Sequence, residues 1–205
     1  MILEDMRPIV GVVMAGGLSR RMGGGDKCQL MLKNKTLLAR VIERASPQVD
    51  ALVLNVNGEP NRFQSYLLPM VADSVAGYAG PLAGILTGMK WAKENFPDCQ
   101  WLASFASDTP FFPLDLVERL ALAITDQKAE LACAKSGGQK HPVFGLWPIR
   151  LYEDLHRALV EEELRKMGAW LGRHRCAEVI YETEPFDPFF NLNRPEDLAQ
   201  AKRLV

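Results

Sequence analysis

A glycine-rich, basic stretch near the N-terminus offers the clearest chemistry in this sequence. From Met14 to Lys27 the chain reads MAGGLSRRMGGGDK. Glycines allow backbone amides to approach an anion closely, and Arg20, Arg21 and Lys27 supply positive charge. The stretch follows the apolar, β-branched run 9–13, which predicts a buried strand. A strand that leads into such a loop predicts a phosphate-binding site; the alternative is a flexible surface turn.

The loop matches neither of the two common nucleotide-binding signatures. A Walker loop requires G-x-x-x-x-G-K-[ST], whereas Lys27 follows Asp26 and precedes Cys28. The dinucleotide pattern G-x-G-x-x-G is absent as well. What remains is A-G-G-x-S-x-R-M-G with a lysine four residues later, so the phosphate-bearing ligand is not identified by either signature.

Apolar runs that alternate with helical patterns predict the framework around this loop. The 205 residues suit one domain over 1–205, with 48% hydrophobic residues and a net charge of -1. The pattern predicts an α/β fold, a single doubly wound, three-layer domain with a mostly parallel sheet, similar to a Rossmann fold. We expect a polar loop over 135–141 between the last two strands of this alternation. The predicted strands are 9–13, 51–57, 69–72, 101–106, 130–134 and 142–147, and 178–181 is a further strand candidate.

Polar residues follow several of these strands. In open parallel sheets, sites lie beyond the carboxyl ends of the strands, so Asn55, Asp73 and Asp108 should share an edge with the glycine-rich loop. Asp108 could cap the following helix, or hold Mg²⁺ beside bound phosphates. Asn55 could recognise a base or sugar through its donor and acceptor, or be an ordinary loop asparagine. Asp73 is either a turn former or part of the same site.

Several classes of protein are disfavoured by the sequence. The near-zero net charge gives no general attraction to nucleic acid. No apolar run reaches the ~18 residues of a membrane helix, and no signal-peptide pattern is visible. The four cysteines lack metal-ligand spacing, which favours reduced thiols in a cytoplasmic protein. No Ser/His/Asp pattern suggests a covalent serine hydrolase. His141, beside Pro142, is either structural or part of a site.

These motifs resemble those of a known family. The stretch 14–23 resembles the L-A-G-G-x-S-x-R-M-G signature of nucleotidyltransferases, and with 24–27 it is most similar to the molybdenum cofactor guanylyltransferase (MobA) family. Met14 stands where leucine is usual, and 152–184 carries no motif that matches. The likeness continues in order through the segments 55–57, Asp73, 80–84, 107–110, 141–142 and 190–198.

The resemblance implies a nucleotidyltransferase fold and a reaction. The acceptor would be molybdopterin or its molybdenum-loaded form, whose terminal phosphate attacks the α-phosphorus of GTP and releases pyrophosphate. Partner proteins would be molybdenum-dependent enzymes or their chaperones. Mg²⁺ would be the cofactor, held by Asp108. GTP would be bound by Met14, Ala15, Gly16, Lys27, Asn55, Asp73 and Asp108.

Because the nucleophile is already an oxyanion, this reaction needs positioning and charge stabilisation more than a strong base. We therefore expect Arg21, Lys27 and Asp108 to act catalytically, with one arginine, Arg21, facing phosphate. His141, Asn191 and Asn193 are the predicted acceptor-binding residues.

Three other functions remain open on the sequence. A cytidylyltransferase that makes the cytosine dinucleotide cofactor would share the phosphate loop. A sugar-nucleotide pyrophosphorylase would use a sugar phosphate as the acceptor. A non-catalytic nucleotide-binding adaptor would deliver cofactor to partner enzymes without transferring a nucleotide.

Overall fold

The structure is a computed structural model that describes residues 2–15, 27–75, 77, 80–192 and 195–203. Its strands are β1 (Ile9–Met14), β2 (Met31–Leu32), β3 (Lys35–Thr36), β4 (Ala51–Asn55), β5 (Met70–Val71), β6 (Trp101–Ala106), β7 (Leu131–Ser136), β8 (Gln139–Pro148) and β9 (Cys176–Tyr181). Its α-helices are α1 (Ile2–Asp5), α2 (Leu37–Ala45), α3 (Pro81–Asn95), α4 (Leu116–Asp126), α5 (Tyr152–Val160), α6 (Met167–Leu171) and α7 (Pro195–Ala201). Short 3₁₀ helices cover Lys27–Gln29, Ser46–Gln48, Pro60–Tyr66 and Ile149–Leu151.

Seven strands form one sheet in the order β5-β4-β1-β6-β8-β7-β9. The strands β5, β4, β1 and β6 are parallel to one another, and β9 is parallel to β7. Strand β8 is antiparallel to both β6 and β7. The mostly parallel sheet confirms the predicted fold class. Strands β2 and β3 form a separate small hairpin.

The polar loop predicted over 135–141 is wrong, because this segment is a tight β-hairpin. Strand β7 continues to Ser136, and β8 begins at Gln139. Gly137 and Gly138 form the turn with φ of 52° and 78°. Two positive φ angles suit the turns that match the twist of a hairpin, and glycine adopts them without steric cost. This reversal brings His141, paired with Ala134, to the edge where the parallel strands end.

Helices cover both faces of the sheet, as a three-layer arrangement requires. Side chains alternate along β1: Ile9 and Val13 pack in one buried cluster, whereas Val10 and Val12 pack in another. The first cluster includes residues of α2 and α4, and the second includes residues of α3, α5 and α6. The continuous apolar sequence of β1 follows from burial on both faces. No helix among the described residues has the length and apolar character that a bilayer crossing requires.

Candidate active site

The carboxyl ends of four neighbouring strands meet at one edge of the sheet, as the sequence predicted. The Ala15 amide donates to the Asn55 carbonyl at 2.9 Å, joining the ends of β1 and β4. The Ser107 amide donates to the Met14 carbonyl at 3.4 Å, joining β1 and β6. Strands β4 and β5 are paired beside them. The polar residues that follow these strands therefore line one continuous edge.

Lys27, Asp108 and Asn191 form the first polar cluster of this edge. Lys27 Nζ donates to Asp108 Oδ2 at 2.6 Å and to Asn191 Oδ1 at 2.8 Å. The Lys27 and Asp108 side chains are only 13% and 22% exposed. The Leu192 amide donates to the Asp108 carbonyl at 3.1 Å, which fixes the C-terminal segment against the end of β6. One ammonium thus ties together three segments that are distant in sequence.

The oxygen atoms of this cluster suit a hard cation. A carboxylate oxygen of Asp108 and an amide oxygen of Asn191 converge on the positive charge of Lys27 Nζ. Mg²⁺ prefers such oxygen ligands, and it commonly takes one or two carboxylates together with waters and substrate phosphates. Within the described ranges, no three His, Cys, Asp or Glu side chains cluster as a metal site. The residues present would fit a magnesium ion shared with a substrate once the Lys27 ammonium has turned from these two oxygens to a phosphate.

Asn55, Asn57 and Asp73 form a second cluster at the ends of β4 and β5. Asn55 Nδ2 donates to Asp73 Oδ1 at 2.9 Å and to the Val71 carbonyl at 3.3 Å. Asn57 Nδ2 donates to Asp73 Oδ2 at 2.8 Å, while its Oδ1 accepts from the Asp73 amide at 3.0 Å. Asn55 is 3% exposed. Both carboxylate oxygens of Asp73 are held in place and retain lone pairs for a ligand.

The G-P-L-A-G motif brings helix α3 against this second cluster. A Cβ at Gly84 would lie 2.8 Å from Asn55 Oδ1 and 2.8 Å from Met14 Cγ and Sδ. These distances are shorter than real Cβ contacts, so any side chain at this position would force Asn55 or Met14 to move. Thr87 Oγ1 on the same helix accepts from the Ser74 amide at 2.9 Å and thereby anchors the segment after Asp73.

His141 belongs to a third cluster, at the carboxyl end of β7. Its Nε2 lies 2.7 Å from Ser136 Oγ, which donates to Asp187 Oδ1 at 2.7 Å. The imidazole stacks on Phe189, with ring centroids 4.8 Å apart and planes 17° apart. Burial lowers the pKa of His141, and the charge of Asp187 opposes that shift only in part. The ring is therefore neutral near pH 7.

The structure brings together most of the predicted site residues, but in groups that differ from the sequence assignment. Asn191, predicted with the acceptor site, accepts a hydrogen bond from Lys27 in the first cluster. The Ala15 amide already donates to the Asn55 carbonyl, so a nucleotide contact from Ala15 would use the Ala15 carbonyl. Gly16, Arg21 and Asn193 lie outside the described residues.

Three residues of these clusters were not among the predicted site residues. The sequence placed Asn57 with Asn55 at the same strand end but gave it no binding role. Ser136 and Asp187 carry no comparable signal, since their contact joins positions 51 residues apart. Only the tertiary structure reveals that contact.

Comparisons with known proteins agree with the fold. Residues 11–177 match the family described as the MobA-like NTP transferase domain. A molybdenum cofactor guanylyltransferase from Nitrobacter hamburgensis is 50% identical over 201 residues, covering 98% of this chain and 96% of the relative. One from Bradyrhizobium sp. is 52% identical over 197 residues, covering 96% and 93%. A solved structure similar to this one is molybdopterin-guanine dinucleotide biosynthesis protein A from Archaeoglobus fulgidus. Its TM-score is 0.71 at 26% identity, and the match covers 95% of this chain and 97% of that one.

The family match covers well over half of the sequence, and both relatives exceed 90% coverage in each direction. The chain therefore belongs to the MobA-like NTP transferase family.

Proposed function

We propose that this chain transfers the guanylyl group of GTP to molybdopterin or its molybdenum-loaded form, giving the guanine dinucleotide cofactor and pyrophosphate. The main structural support is the Lys27–Asp108–Asn191 cluster at the shared sheet edge. The chain is also about half identical to relatives named for this reaction. A mostly buried ammonium beside two oxygen atoms of the kind that bind Mg²⁺ supports binding of a polyanionic substrate at this edge.

The second cluster supports recognition of guanine. The Asp73 carboxylate, held by Asn55 and Asn57, offers acceptors only. The Watson–Crick edge of guanine presents two neighbouring donors, N1–H and the N2 amine, which pair with such acceptors. Cytosine presents one donor and two acceptors on that edge, so this arrangement disfavours a cytidylyl donor.

The phosphates of GTP would lie toward the first cluster. Lys27 would bind a phosphate oxygen through its ammonium, and Arg21 is proposed to stabilise the same negative charge. Backbone groups of Met14, Ala15 and Gly16 are the proposed contacts from the loop. Asp108, with the Asn191 amide oxygen beside it, would hold Mg²⁺. When bound, that ion would supply charge neutralisation between the phosphates.

The acceptor phosphate is already a nucleophilic oxyanion, so no general base is required at the site. The work of the protein is to bring two polyanions together and to stabilise the charge of the departing pyrophosphate. We assign the acceptor to the side of the edge that carries His141, with Asn191 between acceptor and nucleotide; Asn193, outside the described residues, remains a proposed acceptor contact. In the cell we expect the enzyme in the cytoplasm, passing its product to molybdenum-dependent enzymes or their chaperones.

One experiment tests the reaction directly. The purified protein is incubated with molybdopterin, Mg²⁺ and each of the four nucleoside triphosphates, and the product is identified by mass. We expect the guanine dinucleotide with GTP and little product with CTP. A cytosine dinucleotide from CTP, with none from GTP, would overturn the proposal.

The Asp108→Ala variant distinguishes the proposed enzyme from a non-catalytic adaptor. An enzyme should lose pyrophosphate release in this variant, whereas an adaptor would still deliver cofactor to a partner. Near-full transfer by Asp108→Ala in the presence of Mg²⁺ would remove Asp108 from the metal site.

A further inference from the structure

The Ser136 hydroxyl lies between a carboxylate, which can only accept a hydrogen bond, and an imidazole nitrogen, which can donate or accept one. Its oxygen is 2.7 Å from Asp187 Oδ1 and 2.7 Å from His141 Nε2. An ionised carboxylate only accepts hydrogen bonds, and a serine has one hydroxyl proton. That proton is therefore donated to Asp187. The Ser136 oxygen must then accept a hydrogen bond from His141, which places a proton on Nε2.

The surroundings hold this arrangement in place. Ser136 is 2% exposed. Asp187 Oδ1 also accepts from the Phe189 amide at 2.9 Å, which fixes the carboxylate beside the serine. Phe189 in turn stacks on one face of the imidazole. The hydroxyl, the carboxylate and the ring are thus each restrained by a separate contact.

The other ring nitrogen of His141 is available to a ligand. Nδ1 forms no hydrogen bond with any residue that the structure describes. Among the described residues, the fully buried side-chain nitrogen and oxygen atoms that lack a hydrogen-bond partner are Tyr181 Oη and His174 Nε2. His141 Nδ1 is not among them, so it is not fully buried. In a neutral imidazole that is protonated on Nε2, Nδ1 carries a lone pair and accepts.

We propose that Asp187 and Ser136 are positioning residues that fix the tautomer of His141, so that Nδ1 accepts a hydrogen bond from an N–H group of the acceptor's pterin ring. This inference rests on the proposed function, because it assumes that the acceptor binds beside His141. It adds to that function a defined chemical role: His141 recognises the ring of the acceptor as a neutral group and does not bind its phosphate as a cation.

The charged groups around the ring agree with a neutral histidine. Asp187 is the carboxylate that faces it, through Ser136. Lys140, next to it on β8, is paired at 2.6 Å with Glu178 on the opposite face of the sheet. Tyr181, which contacts Phe189, has a raised pKa because of burial and stays uncharged. Burial lowers the pKa of His141, which keeps Nδ1 unprotonated near pH 7.

The tautomer can be measured directly by NMR. The protein has three histidines, so ¹⁵N-histidine labelling with long-range ¹H–¹⁵N correlation, assigned with His141→Gln, resolves each ring nitrogen. Near pH 7.5 we expect the His141 proton on Nε2. Asp187→Ala frees the Ser136 hydroxyl to donate to Nε2, so the proton should move toward Nδ1. Asp187→Asn retains an amide oxygen that can accept from Ser136, so it should preserve the original tautomer.

Steady-state kinetics tests the link to the acceptor. Asp187→Ala should raise the KM for molybdopterin about two- to tenfold, the effect of one lost hydrogen bond, with little change in the KM for GTP. Asp187→Asn should restore the KM for molybdopterin. Asp126→Ala, which removes an exposed carboxylate from the end of α4, is the matched control and should change neither the tautomer nor either KM.

The outcomes separate this inference from the proposed function. If the wild-type protein forms no guanine dinucleotide, the proposed function fails. If it is active but the neutral ring carries its proton on Nδ1, the tautomer assignment is wrong. If Asp187→Ala shifts the tautomer and leaves the KM for molybdopterin unchanged, or if it raises both KM values equally, His141 does not recognise the acceptor in this way.

Discussion

Gly84→Ala introduces one methyl group at the contact between helix α3 and the ends of β1 and β4. That methyl would lie 2.8 Å from Asn55 Oδ1 and from Met14 Cγ and Sδ. Met14 is flexible and can withdraw from the methyl group. Asn55 Nδ2 donates to Asp73 at 2.9 Å and to the Val71 carbonyl at 3.3 Å, so the Asn55 amide can move away only by breaking these hydrogen bonds. The substitution should therefore displace the amide of Asn55 from the second cluster.

The expected effects on stability and on nucleotide binding differ in size. Overpacking costs about 1–3 kcal/mol, while replacing glycine in a helix returns roughly 1 kcal/mol. The free energy of unfolding should thus fall by about 0–2 kcal/mol. Loss of one well-placed hydrogen bond to guanine, about 1 kcal/mol, should raise the Kd for GTP roughly fivefold. Denaturant unfolding measures the first effect and calorimetric titration with GTP the second.

Two further variants make this prediction specific. Gly168→Ala is the matched control, because a Cβ at this position in α6 meets no heavy atom within 4 Å. It should leave the Kd for GTP unchanged and slightly increase stability. Adding Met14→Ala to Gly84→Ala tests which neighbour is displaced: binding should stay weak if Asn55 has moved. A Kd for Gly84→Ala within twofold of the wild-type value would refute the reasoning.

Three other predictions concern the remaining clusters. Lys27→Ala removes a charged hydrogen-bond donor and should weaken GTP binding about tenfold or more in calorimetric titration; unchanged affinity would remove Lys27 from the phosphate site. The pKa of His141 lies below its ordinary value of 6.5, so the unfolded chain takes up this proton first and stability falls as the pH drops through that value. Denaturant unfolding between pH 7.5 and 5.5 should show a smaller loss for His141→Gln, and an equal loss would contradict the assignment. Cys133 is buried, whereas Cys176, whose Sγ lies 3.6 Å from Cys133 Sγ, is partly exposed. Iodoacetamide should therefore alkylate Cys176 first, as peptide mass analysis would show, and faster labelling of Cys133 would be inconsistent with the structure.

The strand ends were predictable because burial on two faces leaves a clear pattern. Strand β1 is a continuous apolar run that stops at the glycine-rich loop, β4 is apolar up to Asn55, and β6, interrupted only by Ser104, stops before Ser107 and Asp108. Since parallel strands end at the same edge, the positions of Asn55, Asp73 and Asp108 followed from local sequence. The family resemblance was confirmed by the match over residues 11–177.

The hairpin between β7 and β8 was missed although its signal is present. Gly137-Gly138 is a strong two-residue turn pattern, but the polar residues around it suggested a longer loop. The grouping of Asn191 with Lys27 could not have been inferred in this way. Their hydrogen bond joins positions 164 residues apart, and it depends on how the C-terminal segment crosses the sheet edge.

That C-terminal segment, residues 187–192, joins the two sides of the proposed reaction. Asp187 bonds Ser136 beside His141, Asn191 bonds Lys27, and the Leu192 amide bonds the Asp108 carbonyl. Asn191 is four positions after Asp187, so the chain between them spans at most about 14 Å. In the proposed reaction the pterin ring lies near the first of these residues, and the acceptor phosphate must reach the α-phosphorus near the second. Because no general base is needed, the rate depends on how well these two ends are held relative to each other. A short segment anchored at both clusters provides that restraint, and substitutions within it should therefore affect turnover as well as acceptor binding.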